Sequence, residues 1–571
     1  MMAGGVKKPV NIFKLRNLDE PRQVFNWRLW FAVISFGLLG AARGVDEGLI
    51  SGAFNSKNFQ GLINYGSYTK SEQANIKANV SAMVQIGSVA GALLAFAICD
   101  RIGRIWATRQ LCVLWVFGIA IFMGSNGNLG AIYAGRFIAG LGVGQTPVVG
   151  PVYIAEIAPA SIRGFCTCIF TGFVYLGIVL AYFTNYGSQL HLGDTTPNRW
   201  LVPTSLHIMF AGLIFILTFF QYESPRYLVK QGQNDKALQV MSRLRKLPPD
   251  HEYVVGELNA ITLSHHEEME ATKGAGWFGI LKEAFTIRSN LYRVGLTIGA
   301  QVMSQWSGAG SITLYAPDLF ELLGVTGTDE TLLVTAVFGV VKLVAAVLCA
   351  LFLVDFIGRK RSLLLGIGLQ AIAMIYVAGF LTAVPGLGGD GDANGTTYTL
   401  STSELGPSKG AIAMIYVSGF GWALGWNSMQ YLLTAELFPL RIRAFCTSLA
   451  MTFHFANQYG NSRAVPNMLL PVANGGISAQ GTFWCFAAVT LLGGAWVWFF
   501  IPETAGRSLE SMDRLFSLPW YKIGRYGNRD ADAQDRAFDE KQAEAAVAVH
   551  LEKDRSNESN DTNNDTSRAP V

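Results

Sequence analysis

The sequence predicts an all-α polytopic membrane protein with twelve transmembrane helices in two six-helix halves. Only 15% of its 571 residues are charged and 51% are hydrophobic, whereas a soluble domain carries about 25% charged residues. Apolar segments long enough to cross a bilayer recur twelve times, and three motifs of the first half return in order in the second. A duplicated multi-pass membrane protein accounts for all three observations.

The twelve apolar segments divide the chain into five regions, since a helix needs about 20 apolar residues to cross the bilayer core. We expect no cleavable signal peptide, because the N-terminal tail lacks an apolar core, and we expect a largely disordered C-terminal tail from its polar composition. The regions are an N-terminal tail (1–27), the N-terminal half (28–221), a central loop (222–290), the C-terminal half (291–501) and a C-terminal tail (502–571). The segments are 28–53, 79–99, 105–124, 129–149, 164–186, 203–221, 291–322, 331–354, 362–384, 410–433, 444–471 and 480–501.

Lysine and arginine in the short loops predict the orientation, because they concentrate on the cytoplasmic side of membrane proteins. Residues 100–109 and 358–361 are strongly basic, whereas the loops near 125–130 and 472–479 carry no charge. Three lysines in the first loop oppose this trend. On balance we expect cytoplasmic termini and a cytoplasmic central loop, with the protein in the plasma membrane. The sequon at Asn394 then lies outside and is a candidate glycosylation site.

Three motifs occur twice, which indicates that the two halves are related. Each copy occupies the same place among its six helices. Two related six-helix halves joined by a cytoplasmic loop are typical of secondary transporters. The pairs are "DRIGR" (100–104) with "DFIGR" (355–359), "EIAPASIRGFCT" (156–167) with "ELFPLRIRAFCT" (436–447), and "YESPR" (222–226) with "PETAG" (502–506).

Five longer motifs resemble, in their order along the chain, the sugar porter family of the major facilitator superfamily, and in particular its fungal-type monosaccharide transporters. They are "GRFIAGLGVG" (135–144), "PVYIAEIAPASIRG" (151–164), "ESPRYLVKQG" (223–232), "ELFPLRIRA" (436–444) and "PETAGRSLESMDRLF" (502–516). The resemblance covers about residues 28–516. It implies the major facilitator fold and transport of a monosaccharide, or of a related polyol or sugar acid, by alternating access.

Acidic and basic residues cluster together at the predicted cytoplasmic helix ends. Opposite charges on the two halves can pair when this side is closed and separate when it opens, which would make an ionic latch for alternating access. The alternative is that the basic residues only anchor the orientation, but then acidic partners are not needed. The candidate gating residues are Asp100, Arg101, Arg104, Glu156, Arg163, Glu223, Arg226, Asp355, Arg359, Glu436, Arg443 and Glu503.

The stretch "AARGVDEGLISG" (41–52) places three ionisable side chains inside the first apolar segment. Charges at membrane depth are rare and face a partner or a cavity. In proton-coupled sugar porters an aspartate of the first helix pairs with an arginine of the fourth, and Asp46 and Arg136 match those positions. An ionised aspartate holds the arginine and a protonated one releases it, which ties proton binding to helix rearrangement. The resemblance therefore implies proton symport.

Arg43 and Glu47 are four residues apart and lie on one face of the first helix. One interpretation is a structural ion pair near the outer mouth. The other is that Glu47 shares the titrating role with Asp46. The sequence leaves both open.

Side-chain amides suit a substrate with many hydroxyl groups, because an amide donates and accepts hydrogen bonds at once. Gln305 keeps a family glutamine, whereas Ser304, Gly310 and His454 stand where the family has amides. For each candidate, helix–helix hydrogen bonding is the alternative, and His454 is either a neutral partner or a second proton site. The candidates are Gln301, Gln305, Thr171, Tyr315, Gln430, Tyr431, His454 and Asn457; Lys342 faces the pocket without an assigned role.

The sequence thus predicts a proton-coupled importer of a monosaccharide, polyol or sugar acid. A facilitative carrier with a structural Asp46 is one alternative, and a sugar receptor that keeps the fold without transporting is another. We expect no enzyme, because the hydrophilic regions are too short for a catalytic domain. We also expect no metal, cofactor, nucleic acid or obligatory protein partner, and we assign the seven cysteines to helix packing.

Overall fold

The computed structural model describes residues 20–54, 56–159, 162–272, 277–349, 358–388, 400–427, 437–504 and 509–524. Throughout these ranges the ordered elements are helices, as the sequence predicts. Five predicted site residues lie outside the described residues, namely Asp355, Asn394, Gln430, Tyr431 and Glu436, and so does the side chain of Arg163.

Six membrane helices form the N-terminal half. The second begins at Lys70 rather than near residue 79, because Thr69 and Glu72 form a capping box that extends its polar first turns. The fourth is interrupted after Val143 and resumes at Thr146. The helices are α1 (Trp27–Phe54), α2 (Lys70–Ile102), α3 (Arg104–Met123), α4 (Leu129–Val143 and Thr146–Ile157), α5 (Arg163–His191) and α6 (Asn198–Leu217).

The C-terminal half repeats this arrangement with a more broken seventh helix. Gly308 has a φ of 86°, and an added Cβ there would lie 2.5 Å from the Phe486 ring. Pro317 interrupts the helix a second time, since proline has no N–H to donate. The helices are α7 (Arg288–Trp306, Ala309–Leu314 and Ala316–Leu322), α8 (Thr328–Leu348), α9 (Arg359–Ala383), α10 (Leu405–Trp422, continuing as a π-helix over Ala423–Asn427), α11 (Leu440–Met468) and α12 (Ser478–Phe500).

Nine of the helices in the described ranges are long and apolar enough to cross a membrane. The other three members of the bundle are α7, α10 and α11. The breaks in α7 and the π-helical end of α10 leave shorter regular segments, and α11 carries polar side chains such as His454 and Asn457. Twelve helices in two halves agree with the predicted fold.

The two halves meet chiefly along α2 with α11 and along α5 with α8. On the side of the central loop, the Ser448 hydroxyl donates to the Ala92 carbonyl at 2.8 Å. On the opposite side, the Lys77 ammonium lies 2.6 Å from the Asp318 carboxylate. Because contacts join the halves at both ends, the space between them is enclosed.

The central loop contains four helices, Pro225–Lys230, Asn234–Arg245, Glu252–Thr272 and Trp277–Thr286. Arg245 fixes them to the bundle: its guanidinium donates to both Glu257 oxygens at 2.9 and 2.6 Å and to the Ile157 carbonyl at 2.8 Å. The loop therefore packs on the end of α4 instead of hanging between the halves.

Candidate functional site

Asp46 and Arg136 form a buried ion pair between α1 and α4. The carboxylate Oδ1 accepts from the Arg136 Nη1 at 2.8 Å, and the two side chains are 2% and 3% exposed. Arg136 also donates to the Val80 carbonyl at 3.3 Å and lies over the Phe122 ring. The sequence predicts this pairing, and the structure brings both residues together inside the N-terminal half.

His207 of α6 is a third member of this cluster, which the sequence analysis missed. Its Nε2 lies 3.8 Å from Asp46 Oδ1, and its ring packs 5.8 Å from the Trp115 ring. Neither ring nitrogen makes a hydrogen bond within the described part of the chain. A buried base thus lies beside the Asp46 carboxylate. The sequence offered one sign of this role, namely a histidine within an apolar helix.

A cavity of ≈ 20 Å³ lies between the halves, which leaves room for about one water molecule. The residues that line it come from α1, α5, α7, α8, α10 and α11. Its polar and charged lining consists of Arg43, Glu47, Gln305, Thr313, Lys342, Asn427, His454 and Gln458. The Arg43–Glu47 pair therefore lines the cavity between the halves.

Arg43 joins the two halves through His454. Its guanidinium contacts Glu47 Oε1 at 3.3 Å and His454 Nε2 at 2.9 Å. Arginine only donates, so we assign His454 as neutral, with Nε2 accepting and Nδ1 protonated. Nδ1 then donates to Gln301 Oε1 at 3.0 Å. A second proton on this ring would turn the acceptor that faces Arg43 into a donor and break the contact.

The amides around the cavity have unused capacity for hydrogen bonds. Gln458 donates to Glu47 at 3.4 Å, while its Oε1 is buried without a partner in the described residues. Asn427 of α10, which the sequence analysis did not select, likewise has a buried Nδ2 without such a partner. The Gln305 side-chain amide lies 3.2 Å from His454 Nδ1, and with Nδ1 protonated the amide is assigned with its oxygen towards this N–H. These groups can pair with hydroxyls of a small molecule.

Lys342 of α8 also lines the cavity. Its ammonium donates to the Thr313 hydroxyl and lies 5.4 Å from the Tyr175 ring centre and 5.1 Å from that of Phe338. The side chain is 2% exposed. The sequence predicts a pocket-facing position for it, and the structure places it there.

Three other predicted substrate residues make contacts between or within helices. The Thr171 hydroxyl donates to the Cys168 carbonyl at 2.8 Å, and the Tyr315 hydroxyl donates to the Ser462 carbonyl at 2.9 Å. Asn457 accepts from the Trp306 indole at 3.1 Å. These three side chains do not line the cavity, which favours the structural alternative that the sequence left open.

The predicted gating charges of the N-terminal half pair with each other. Arg104 contacts Glu156 at 2.8 Å and Asp100 at 3.0 Å, and Asp100 also binds Lys230 at 3.2 Å. Arg104 is nearly fully buried, so these pairs hold the ends of α2, α3 and α4 together. In this conformation the contacts lie within one half, and pairing across the halves stays a prediction.

Glu223 and Glu503 each bind the first amides of a helix. Glu223 accepts from the backbone N–H groups of Arg104 and Ile105 at 3.0 and 3.2 Å. Glu503 accepts in the same way from Arg359 and Lys360 at 2.8 and 3.2 Å. A carboxylate at a helix N-terminus satisfies free donors and the helix dipole. Burial raises the pKa of the Glu223 carboxyl, and these backbone donors oppose that shift.

Glycines make room for both capping carboxylates. Gly103 and Gly358, directly before α3 and α9, have φ values of 90° and 94°. An added Cβ would lie 2.5 Å from Glu223 Oε2 at the first position and 2.6 Å from Glu503 Oε2 at the second. Two of the three repeated motif pairs therefore build the same capped junction in each half.

The remaining predicted gating residues make other contacts. The Arg101 carbonyl accepts from the Tyr227 hydroxyl at 3.1 Å, and its side chain is exposed. The Arg443 guanidinium donates to the Phe438 carbonyl at 3.2 and 3.0 Å. Arg226 lies in the first turn of the loop helix Pro225–Lys230. Arg359 opens α9 and meets Glu503 through its backbone.

Comparison with known proteins agrees with this architecture. A family model described as "Sugar (and other) transporter" matches residues 31–516. A probable quinate permease of Aspergillus niger is 30% identical over 500 residues, covering 87% of this chain and 89% of that protein. The quinate permease of Emericella nidulans is 30% identical over 506 residues, covering 87% and 90%.

The solved structures that this chain resembles include the proton:xylose symporter XylE bound to 6-bromo-6-deoxy-D-glucose. The TM-score is 0.70 at 22% identity, and the match covers 86% of this chain and 99% of that one. An inward-open conformation of XylE from E. coli gives a TM-score of 0.65 at 21% identity, over 85% and 99%. At this identity the likeness concerns the fold alone.

Proposed function

We propose that this chain, which belongs to the sugar (and other) transporter family and is a multi-pass membrane transporter, imports a small polyhydroxylated molecule together with protons. The substrate class is a monosaccharide, or a related polyol or sugar acid. The mechanism is alternating access of the cavity between the two halves. The basic loops support an orientation in which the termini and the central loop are cytoplasmic.

One observation carries this proposal: α1 presents its charges to two different places. Asp46 contacts Arg136 inside the N-terminal half, while Arg43 and Glu47 line the cavity between the halves. Successive residues of an α-helix point about 100° apart. A shift of α1 about its axis therefore moves the lining of the cavity whenever it changes the Asp46–Arg136 contact.

Protonation of Asp46 supplies the free energy for such a shift. Removing one charge of a buried ion pair costs about 3–5 kcal/mol, because the partner is left without compensation. A free energy of this size changes the equilibrium between two conformations of the transporter by a factor of about 10²–10⁴. His207, 3.8 Å from the carboxylate, is a nearby base through which the proton can reach or leave Asp46.

The contacts that must open are those that cross between the halves. Arg43–His454 and Glu47–Gln458 join α1 to α11 around the cavity. The cavity of ≈ 20 Å³ is smaller than a sugar ring, so these contacts part when the substrate enters. The capped and ion-paired helix ends of the N-terminal half move as a unit, and the predicted latch forms between this unit and the C-terminal half.

Gradient-driven uptake into proteoliposomes tests the proposal. With an inward proton gradient and a panel of labelled sugars, polyols and sugar acids, the wild-type chain should concentrate a substrate and Asp46→Asn should not, although exchange can persist. Asp250→Asn is the matched control, because Asp250 is an exposed carboxylate of the central loop and lies outside the buried cluster.

The outcomes separate the alternatives. Downhill uptake that ignores the proton gradient would establish a facilitative carrier with a structural Asp46. Substrate binding without any flux would favour a receptor that keeps the fold. Concentrative uptake by Asp46→Asn equal to that of the wild type would remove this residue from proton coupling.

A further inference from the structure

Lys342 is a buried cation without a direct ion pair in the described part of the chain, although the charge of Glu47 acts on it through space. No carboxylate there lies within 4.0 Å of its ammonium. Its contacts are the Thr313 hydroxyl and the faces of Tyr175 and Phe338. The carboxylate of Glu47 is also in the cavity lining, and its Oε1 accepts from Arg43 at 3.3 Å and from Gln458 at 3.4 Å.

The charges of the described cavity lining do not balance. Arg43 and Lys342 are positive and Glu47 is negative, while His454 is neutral in the tautomer assigned above. One positive charge is left over. An unpaired buried ion is unfavourable, and cation–π contacts with two rings recover only part of its lost hydration.

We propose that Lys342 binds a carboxylate of the substrate, so that the transported molecule is a small hydroxylated carboxylic acid and not a neutral sugar. This inference rests on the proposed function and narrows its substrate class. Arg43 is the weaker candidate for the same role, because Glu47 and His454 already occupy its guanidinium.

The rest of the cavity suits the other end of such a molecule. The free amide atoms of Asn427 and Gln458 can bind ring hydroxyls. Tyr175 and Trp422 supply aromatic faces for the apolar side of a ring. The Thr313 hydroxyl also donates to the Ala309 carbonyl at 2.9 Å, so it stays bound when Lys342 turns towards a carboxylate. The similar fungal proteins named as quinate permeases agree with this chemistry, since quinate is a hydroxylated cyclic acid.

Binding of matched pairs to the purified full-length chain tests the inference. The pairs are quinate and its methyl ester, gluconate and sorbitol, and glucuronate and glucose, measured by isothermal titration calorimetry near pH 7. The wild type should bind at least one acid more tightly than its neutral partner. Loss of a charge-assisted hydrogen bond predicts a roughly 10- to 150-fold weaker binding of that acid to Lys342→Met. Lys342→Arg should keep part of the preference.

Two controls guard against a merely structural effect. Lys57→Met removes a cation that lies outside the cavity and pairs with Asp194, and it should leave binding unchanged. Thermal unfolding and elution as a single species verify that each Lys342 variant is folded, and Lys342→Gln serves if Lys342→Met is not. A variant that binds neutral partners like the wild type but loses the acid supports the inference directly.

The contrary results are equally distinct. Wild-type affinity that is equal for acid and neutral partner, absence of acid binding by the folded wild type, or an unchanged preference in Lys342→Met would overturn the carboxylate site. Proton-driven uptake of a neutral sugar without acid preference would overturn it while the proposed function stands. Acid binding that depends on Lys342, without proton-driven uptake, would keep the site and refute the proposed function.

Discussion

Asp46→Asn and Glu47→Gln should affect transport very differently, although the two carboxylates are adjacent. Asp46 and Arg136 are both nearly fully buried and 2.8 Å apart. Breaking their pair therefore costs about 3–5 kcal/mol, which corresponds to a factor of about 10²–10⁴ in the equilibrium between the two conformations. The Glu47 side chain is 18% exposed, and glutamine still accepts from Arg43. We therefore expect Glu47→Gln to cost only about 1–2 kcal/mol, which corresponds to a factor of about 5–30 in the same equilibrium.

The assay is the initial rate of uptake into proteoliposomes at several external pH values. Wild-type uptake should rise as the external pH falls, because the inward proton gradient that drives substrate entry becomes larger. Glu47→Gln should keep this slope at a reduced rate. Asp46→Asn should lose both concentrative uptake and the slope, since an amide does not titrate.

An equal loss of pH dependence in the two variants would refute this reasoning. It would make Asp46 and Glu47 one coupled site for the proton. Asp250→Asn, measured in parallel, reports effects of removing a carboxylate that lies exposed in the central loop, away from the buried cluster.

Three further predictions follow from single contacts. Gln305→Ala should weaken substrate binding by about 1–3 kcal/mol, or roughly 5- to 150-fold, whereas Thr171→Val should change it little; competition against a labelled substrate checks both. Arg104→Ala should lower the maximal rate of uptake more than the apparent affinity, because Arg104 joins helix ends far from the cavity; a selective loss of equilibrium binding would contradict its gating role. Glu223→Gln and Glu503→Gln should each lower the free energy of unfolding by about 0.5–2 kcal/mol through weaker helix caps, measured by thermal unfolding in detergent, with unchanged stability as the opposing result.

The sequence predicted the fold because its signals are local or repeated. Hydropathy marks most membrane helices, and the duplicated motifs reveal the two halves. The start of α2 was placed too late, since Lys70 and Glu72 in its first turns are polar and only the capping box at Thr69 shows that the helix has begun.

The candidate site was predictable where sequence motifs contain both interacting residues, as for Asp46 and Arg136. His207 was missed because it joins them only through the packing of α6, which no local pattern encodes. The sequence analysis did not predict the helix caps made by Glu223 and Glu503 either. Glu223 binds an amide 119 residues away in the chain, and Glu503 binds one 144 residues away. Long-range partners of this kind require the structure.

The central claim is that α1 couples the protonation of Asp46 to the cavity. The most direct test is to measure whether protons enter together with the substrate. In liposomes loaded with a pH-sensitive dye, and without an imposed pH difference, the inward flow of substrate through the wild-type chain should acidify the lumen. Asp46→Asn should exchange substrate without any pH change, because its side-chain amide neither takes up nor releases a proton during transport. Substrate entry through the wild type that leaves the lumenal pH constant would contradict the account.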